Sequence, residues 1–223
     1  MNLFHYISDF LTDSSHWHGY DGIPHRLDQH LGYSFEALAI AAAIALPIGL
    51  VSGHTGRGGN ALAVVATAGR ALPSYGLLVL MFFWIGRIGL LPVMIPLVAL
   101  AVPPILVTSY EAMRTVDPAP VDAARGMGMG PAAVLFQVEL PVALPLILSG
   151  MRSAAIQVVS TAAIAATVSL GGLGRYIVDG YYQRNYETVA GGGALIALLA
   201  LAMVGVFWIL ERVVVSPGVR RSN

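Results

Sequence analysis

Four long stretches of this chain contain no charged residue, and this pattern restricts the possible folds severely. Residues 37–56, 88–110, 153–174 and 188–210 hold no Asp, Glu, Lys or Arg, and each stretch is at least 20 residues long. An α-helix needs about 20 apolar residues to cross the roughly 30 Å of a bilayer's hydrocarbon core. A fifth stretch, from Ala61 to Ile85, is interrupted only by Arg70. The sequence therefore predicts an all-α integral membrane protein with five transmembrane helices.

The predicted transmembrane domain covers residues 33–213. Its spans are 34–53, 61–85, 91–112, 141–170 and 189–211, with a polar loop at 114–139 between the third and the fourth. Residues 1–32 carry four Asp and one Arg, a net charge of −3, and apolar residues at helical spacing between Phe4 and Leu11. We expect this segment to be extracytoplasmic or to lie in the membrane interface. Residues 214–223 form a short tail.

The placement of arginine predicts the orientation, because cytoplasmic loops carry an excess of basic residues. With the N-terminus outside, the cytoplasmic side holds six arginines and the outer side four. The six are Arg57, Arg114, Arg125, Arg212, Arg220 and Arg221, and the four are Arg26, Arg87, Arg175 and Arg184. This bias predicts an outside N-terminus, a cytoplasmic C-terminus and a cytoplasmic 114–139 loop.

Several kinds of site are excluded or disfavoured by composition. All 12 basic residues are arginine, so the chain lacks the lysine of a nucleotide-binding P-loop, and any ATP must be hydrolysed by another chain. There is no cysteine and no basic block for nucleic acid. The first 15 residues lack the pattern of a cleavable signal peptide. Five of the six histidines lie in residues 1–32, but their spacing fits no zinc pattern, so we expect no metal site.

The loop at 114–139 carries helix signals of its own. Asp117 is a suitable N-cap, Pro118 suits the first helical position, and Gly126 or Gly128 can end the helix in a left-handed conformation. A second short helix is predicted over 131–139. Leu140-Pro141 is expected to break it before the fourth span. A stiff loop whose only role is to connect two spans is expected to have the same sequence pattern.

This loop resembles a motif of the permease subunits of type I ABC importers. Their pattern is Glu-Ala-Ala, three residues, Gly, nine residues, Ile, one residue and Leu-Pro. At the same spacing, this chain has Asp122-Ala123-Ala124, Gly128, Val138 and Leu140-Pro141. In that family the segment is a coupling helix that docks in a groove of the ATPase subunit. The resemblance implies a coupling role for Asp117, Pro118, Asp122, Ala123, Ala124, Arg125, Gly126, Met127, Gly128, Leu140 and Pro141.

A closer resemblance, over most of residues 69–213, is to the permeases of osmoprotectant importers. It rests on Leu72-Pro73-Ser74, Val116-Asp117-Pro118, Ala123 to Gly128, Val138 to Pro141, Ala143-Leu144-Pro145, Gly150 to Ala154 and Gly171 to Gly174. The last run is also typical of methionine importers. The resemblance implies the methionine-importer-like fold and a bacterial inner-membrane permease that imports glycine betaine, choline, carnitine or proline.

The same resemblance implies the partners. They are two ATPase subunits, a second permease that is either an identical copy or a paralogue, an extracytoplasmic substrate-binding protein and the lipid bilayer. ATP and magnesium would be bound by the ATPase, and this chain would hold no cofactor and perform no catalysis.

Polar residues within the spans are candidates for the translocation pathway, because charge inside a membrane usually serves function. They are Arg70, Ser74, Arg152, Gln157 and Thr161. Purely structural roles are also open to these side chains. The arginines can pair with a carboxylate or a partner subunit, and the polar residues of span four can hydrogen-bond between helices.

Two other functions remain as alternatives. One is an importer permease for another small solute, such as the amino acid methionine. The other is an ATP-independent channel or secondary transporter, which predicts an ionisable site deep in the spans and often an internal repeat. No acidic residue lies deep in the spans, since Glu36, Glu111 and Glu211 are near span ends, and no convincing repeat is found.

Overall fold

The computed structural model describes residues 2–168, 170–216 and 218, and the side chain of Arg70 lies outside the described part. The described residues form helices joined by short turns. The α-helices are α1 (Leu3–Thr12), α2 (Ile23–Thr55), α3 (Gly59–Ala71), α4 (Ser74–Ile85), α5 (Leu91–Arg114), α6 (Pro118–Gly126), α7 (Pro131–Val134), α8 (Leu140–Ala162), α9 (Gly174–Gln183) and α10 (Tyr186–Val214). Ser14–Trp17 and Ala163–Val168 are 3₁₀ turns, and Leu135–Glu139 is a π-helical turn.

The prediction of an all-helical protein with several apolar helices is confirmed. Four helical segments of the described chain are long and apolar enough to cross a membrane: α2, α5, the run Pro131–Val168, and α10. The count rises to five if α3 and α4 together form one broken span. The helices α2 and α10 extend beyond the predicted spans: residues 23–33 and 54–55 continue α2, and residues 186–188 and 212–214 continue α10.

The second predicted span, 61–85, differs from a single helix. It consists of α3 and α4, which are separated by Leu72 and Pro73. Pro73 has an extended backbone, with φ −71° and ψ 111°. Proline offers no N–H for the helix, and it disfavours helical dihedral angles in the residue before it. The helix therefore ends before this pair and restarts at Ser74.

The chain divides into two compact units. Unit 1 consists of residues 1–40, 72–101 and 155–203, and unit 2 of residues 41–71, 102–154 and 204–223. Both units are assembled from segments that are far apart in the sequence, so their packing depends on contacts that no local pattern reveals.

In unit 1, the N-terminal segment is part of the packed core. Phe10 is 1% exposed and clusters with Ile23, Leu173 and Tyr176. Glycine at position 191 leaves room for the Phe10 ring, since a Cβ there would lie 2.1 Å from the ring carbons. The Tyr176 hydroxyl donates to the carbonyl oxygen of Asp21 at 2.6 Å. The N-terminal segment is therefore packed onto the rest of the unit through Phe10, Asp21 and Ile23.

A buried histidine also fixes the start of α2 within unit 1. His30 Nε2 donates to the carbonyl oxygen of Val159 at 2.9 Å, and the Leu173 N–H donates to Nδ1 at 3.3 Å. The carbonyl can only accept and the amide can only donate, so the two bonds specify the neutral ring with its proton on Nε2.

In unit 2, the C-terminal half of α5 packs against both α8 and α2. Its Ala112 and Met113 cluster with Ala143 and Ile147 of α8. A Cβ at Gly53 of α2 would lie 2.5 Å from the Cβ of Met113, so the two helices approach closely there. Small residues that let backbones approach are a general means of helix packing in membranes.

Candidate functional site

The predicted short helix in the 114–139 loop is present as α6, and both of its ends have the predicted chemistry. The Asp117 carboxylate accepts a hydrogen bond from the Ala119 N–H at 3.0 Å, and Pro118 takes the first helical position. At the other end Gly128 is left-handed, with φ +88°. Its N–H donates to the Arg125 carbonyl at 2.9 Å, and the Met129 N–H donates to that of Ala124 at 3.1 Å. These two bonds form a Schellman motif, which satisfies the terminal carbonyls of the helix.

One face of α6 is buried and the opposite face is exposed. Val121 and Ala124 lie one helical turn apart and pack with Val134 in an apolar cluster, which Val116, Met129 and Val138 extend. The opposite face is exposed and consists mainly of small residues and two charges. It comprises Pro118, Ala119, Pro120, Asp122, Ala123, Arg125, Gly126, Met127 and Gly128. Met127 is 78% exposed. The Asp122–Arg125 pair is 3.9 Å apart and exposed, so it contributes little to stability.

The expected break at Leu140-Pro141 is absent. Instead, α7 continues through the π-helical turn into α8, and the Leu140 N–H bonds to the carbonyl of Leu135, five residues back. In a regular α-helix, proline lacks an N–H and clashes with the carbonyl four residues back, but the π-helical turn before Pro141 replaces the regular hydrogen-bond pattern there. Pro141 therefore lies within a continuous helical run, so α7 and the fourth span are directly connected.

A buried histidine–glutamate pair adjoins α6. Nδ1 of His54, near the end of α2, lies 2.5 Å from Oε2 of Glu139, and the two side chains are 15% and 6% exposed. This pair was not predicted from the sequence. The available signal was Glu139 itself, a carboxylate beside the apolar Val138 and Leu140, because a buried charge requires a partner. The partner could not be identified, since it lies 85 residues away.

The same region contains a cleft of about 380 Å³. Its wall includes the buried pair, Arg114 at the end of α5, and Asp122 and Arg125 of α6. The cleft is thus bordered by three helix ends and by groups of both charges.

Unit 1 holds a second polar pocket, of about 440 Å³. It is lined by Tyr20, Arg26, Gln29, Tyr33, Leu170, Gly171 and Arg175. Its two arginines and its glutamine bond to neighbouring groups. Arg26 pairs with Asp21, and Arg175 pairs with Asp179. Gln29 accepts the Gly172 N–H at 3.0 Å. This arrangement stabilises the connection between α2 and α9, and the described residues that line the pocket offer no unpaired charge to a ligand.

The five pathway candidates are placed as follows. The side chain of Arg70 lies outside the described residues, Ser74 begins α4, and Arg152, Gln157 and Thr161 belong to α8. Arg152 is half-buried and donates to Ser149 Oγ at a long 3.5 Å. Thr161 is buried, whereas Ser74 and Gln157 are half-buried. Within the described part of unit 1, no side-chain hydrogen bond joins Ser74, Gln157 and Thr161.

Comparison with known proteins identifies the family. Residues 45–221 match the family described as binding-protein-dependent transport system inner membrane component. The chain belongs to this family. It is accordingly a multi-pass membrane permease subunit of an ABC importer, not an enzyme, and the ATPase is a separate subunit in such systems. The family implies an ATPase and a substrate-binding protein as partners.

Several curated relatives match over most of their length. The choline transport system permease protein OpuBB of Bacillus subtilis is 30% identical over 193 residues, which cover 86% of this chain and 88% of the relative. The osmoprotectant import permease protein OsmW of Salmonella typhimurium is 33% identical over 200 residues, covering 86% and 91%. The carnitine transport permease protein OpuCB of Listeria monocytogenes is 29% identical, covering 87% and 89%.

Solved structures show the same fold. A chain of the MetNI methionine ABC transporter, described as inward facing, superposes with a TM-score of 0.74 at 24% identity, covering 86% of this chain and 95% of that one. A chain of an amino acid ABC transporter crystallised with histidines gives a TM-score of 0.67 at 18% identity, covering 95% and 98%. At these identities the likeness concerns the fold alone.

Proposed function

We propose that this permease imports small osmoprotectants of the glycine betaine, choline, carnitine and proline class. The observation that carries the proposal is the agreement of three curated relatives, named for choline, carnitine and osmoprotectant transport, each matching more than four fifths of both chains. The motifs from Val116 to Gly128 and from Val138 to Pro145 support the same class, because they are those of osmoprotectant permeases.

Coupling to the ATPase would run through α6. Its capped ends and its apolar attachment to Val134 hold it rigidly, while its exposed face of small residues lets another surface approach. Leu140 and Pro141 would transmit the movement, since they continue the helical run from the loop into α8. When the ATPases close on ATP, rigid movement of α6 would open the pathway in the manner of domain rocking.

The assembly would contain two permeases, this chain with an identical copy or a paralogue, and two ATPases. The arginine bias supports an outside N-terminus and a cytoplasmic loop 114–139. The substrate-binding protein would then dock on the side of α1 and α9.

Arg70, Ser74, Arg152, Gln157 and Thr161 would line or gate the pathway. Among these, Arg152 has the most specific chemistry. No ion pair of the described residues includes it. A guanidinium within a span would suit the carboxylate that betaine, carnitine and proline share.

The direct test is ATP hydrolysis by the complete complex in lipid nanodiscs, with the binding protein and each solute in turn. The panel is glycine betaine, choline, carnitine, proline and methionine. We expect stimulation by one or more of the first four. The variant Ala123→Arg adds bulk to the exposed face of α6 and should abolish stimulation. Asn60→Arg makes the same kind of change at an exposed position near the start of α3 and should preserve it.

The remaining outcomes separate the alternatives. Stimulation by methionine alone would replace the substrate class and retain the permease with its coupling helix. Failure of the folded chain to bind any ATPase would contradict ATP-driven import and favour a channel or secondary transporter.

A further inference from the structure

We propose that His54 and Glu139 are positioning residues that tie the end of α2 to the helical run against which α6 packs, so that movement of α6 also moves α2. This inference rests on the proposed coupling role of α6. It assigns that coupling a second route, in addition to the covalent connection into α8.

The first observation is the geometry of the pair. The two side chains meet at 2.5 Å with little exposure, although 85 residues separate them in the sequence. Glu139 is the last residue of the π-helical turn, and His54 is the penultimate residue of α2. The bond therefore joins the ends of two membrane-associated helices at the level of the loop, within unit 2.

The second observation is the packing that connects this bond to α6. Val121 and Ala124 of α6 pack on Val134, and Val138, which precedes Glu139, belongs to the same cluster. Leu135 and Leu140 pack in turn against the cluster that α5 and α8 form around Met113. From the buried face of α6 to the carboxylate of Glu139 there is therefore a continuous series of close contacts within one unit.

The third observation is that the two buried side chains are polar rather than apolar. An apolar pair of the same size would cost less to bury, because a buried charge and its partner both lose hydration. A hydrogen-bonded histidine and carboxylate are directional, however, and so hold two helix ends in one register. The neighbouring charges do not substitute for this bond. Asp122 and Arg125 are 74% and 55% exposed, and they pair with each other at 3.9 Å.

The test measures coupling, expressed as solute transported per ATP hydrolysed, in proteoliposomes holding the complete complex. Glu139→Gln keeps the shape and removes the charge, whereas His54→Phe removes the N–H. We expect each variant to lower the coupling ratio about fivefold or more, which is the lower range of allosteric coupling. The double variant should lower the coupling ratio no further than either single variant does. Glu111→Gln is the matched control, because this glutamate of α5 is exposed and belongs to no ion pair of the described residues.

Replacing the His54–Glu139 pair by a covalent crosslink distinguishes a mechanical connection between the two helices from a pair that only stabilises the fold. The chain has no cysteine, so His54→Cys with Glu139→Cys creates the only two thiols of the subunit. We expect the double-cysteine protein to be uncoupled and a short bifunctional thiol reagent to restore the wild-type ratio. The exchanged pair, His54→Glu with Glu139→His, should also restore it.

The inference is overturned if Glu139→Gln and His54→Phe keep the wild-type ratio, or if crosslinking leaves the folded double-cysteine complex uncoupled. Neither result affects the proposed function, provided that the wild-type complex still couples ATP to uptake. Absence of coupled uptake in the wild type would contradict the proposed function itself.

Discussion

At the residue scale, the sequence predicted the helix caps, but it did not predict hydrogen-bond partners that lie far away in the chain. Asp117 and Gly128 were expected at the ends of the loop helix, because N-caps and left-handed glycines act through neighbouring backbone. The partners of Glu139 and Tyr176 lie 85 and 155 residues away. With a single sequence, nothing indicates which of many possible partners a buried polar group will meet.

Gly128→Ala tests the left-handed end of α6. Open space surrounds the site, so the cost is backbone strain alone, about 1–2 kcal/mol for a Cβ at positive φ. We expect a lower melting temperature of the purified protein. Gly126→Ala is the control, because this glycine also has open space but ends the helix without positive φ. It should raise stability slightly through helix propensity. Equal effects of the two variants would contradict the Schellman geometry.

Tyr176 provides a prediction of pH dependence. Burial raises the pKa of its phenol to about 12, from an ordinary value of 10.0. The unfolded chain would ionise this group near its ordinary value, so its contribution to stability is complete below pH 10 and is lost as the pH rises towards 12. An ultraviolet titration of tyrosine ionisation, taken as the difference between wild type and Tyr176→Phe, should show a transition near pH 12. A difference transition near pH 10 would refute burial of this group.

At the element scale, the existence of the helices was predictable and their interruptions were only partly so. The charge-free stretches identified the spans, since they reflect a property of each helix alone. Proline was less informative, because its effect depends on context. Pro73 separates α3 from α4, whereas Pro47 and Pro145 lie within α2 and α8, and Pro141 follows a π turn without ending the run.

The packing of α2 on α5 yields a prediction at this scale. A Cβ at Gly53 would meet the Met113 Cβ at 2.5 Å and the Tyr110 carbonyl oxygen at 2.8 Å, and a backbone carbonyl cannot move aside easily. We expect Gly53→Ala to destabilise the protein by about 1–3 kcal/mol through overpacking. Gly205→Ala, in open space on α10, is the matched control and should be neutral or stabilising. Tolerance of Gly53→Ala would contradict this close helix approach.

At the scale of the whole molecule, composition and the loop motif together led to the correct class of protein. The absence of lysine excluded a P-loop, so the energy source had to lie in another chain, as it does in ABC importers. The role of residues 1–32 was not predictable. Their polar composition suggested a peripheral segment, yet Phe10 and His30 are fully buried within unit 1, because their burial depends on surfaces contributed by α8, α9 and α10.

The central claim is that this chain forms part of an ATP-driven import pathway for small osmoprotectants. The most direct measurement is uptake of labelled glycine betaine, choline, carnitine and proline into proteoliposomes that hold the complete complex, with the binding protein supplied on the outside. With ATP inside, we predict that at least one of these solutes accumulates above its external concentration, and that accumulation is lost in Ala123→Arg. Equilibration of solute without ATP, or no uptake by a fully assembled complex, would contradict the account.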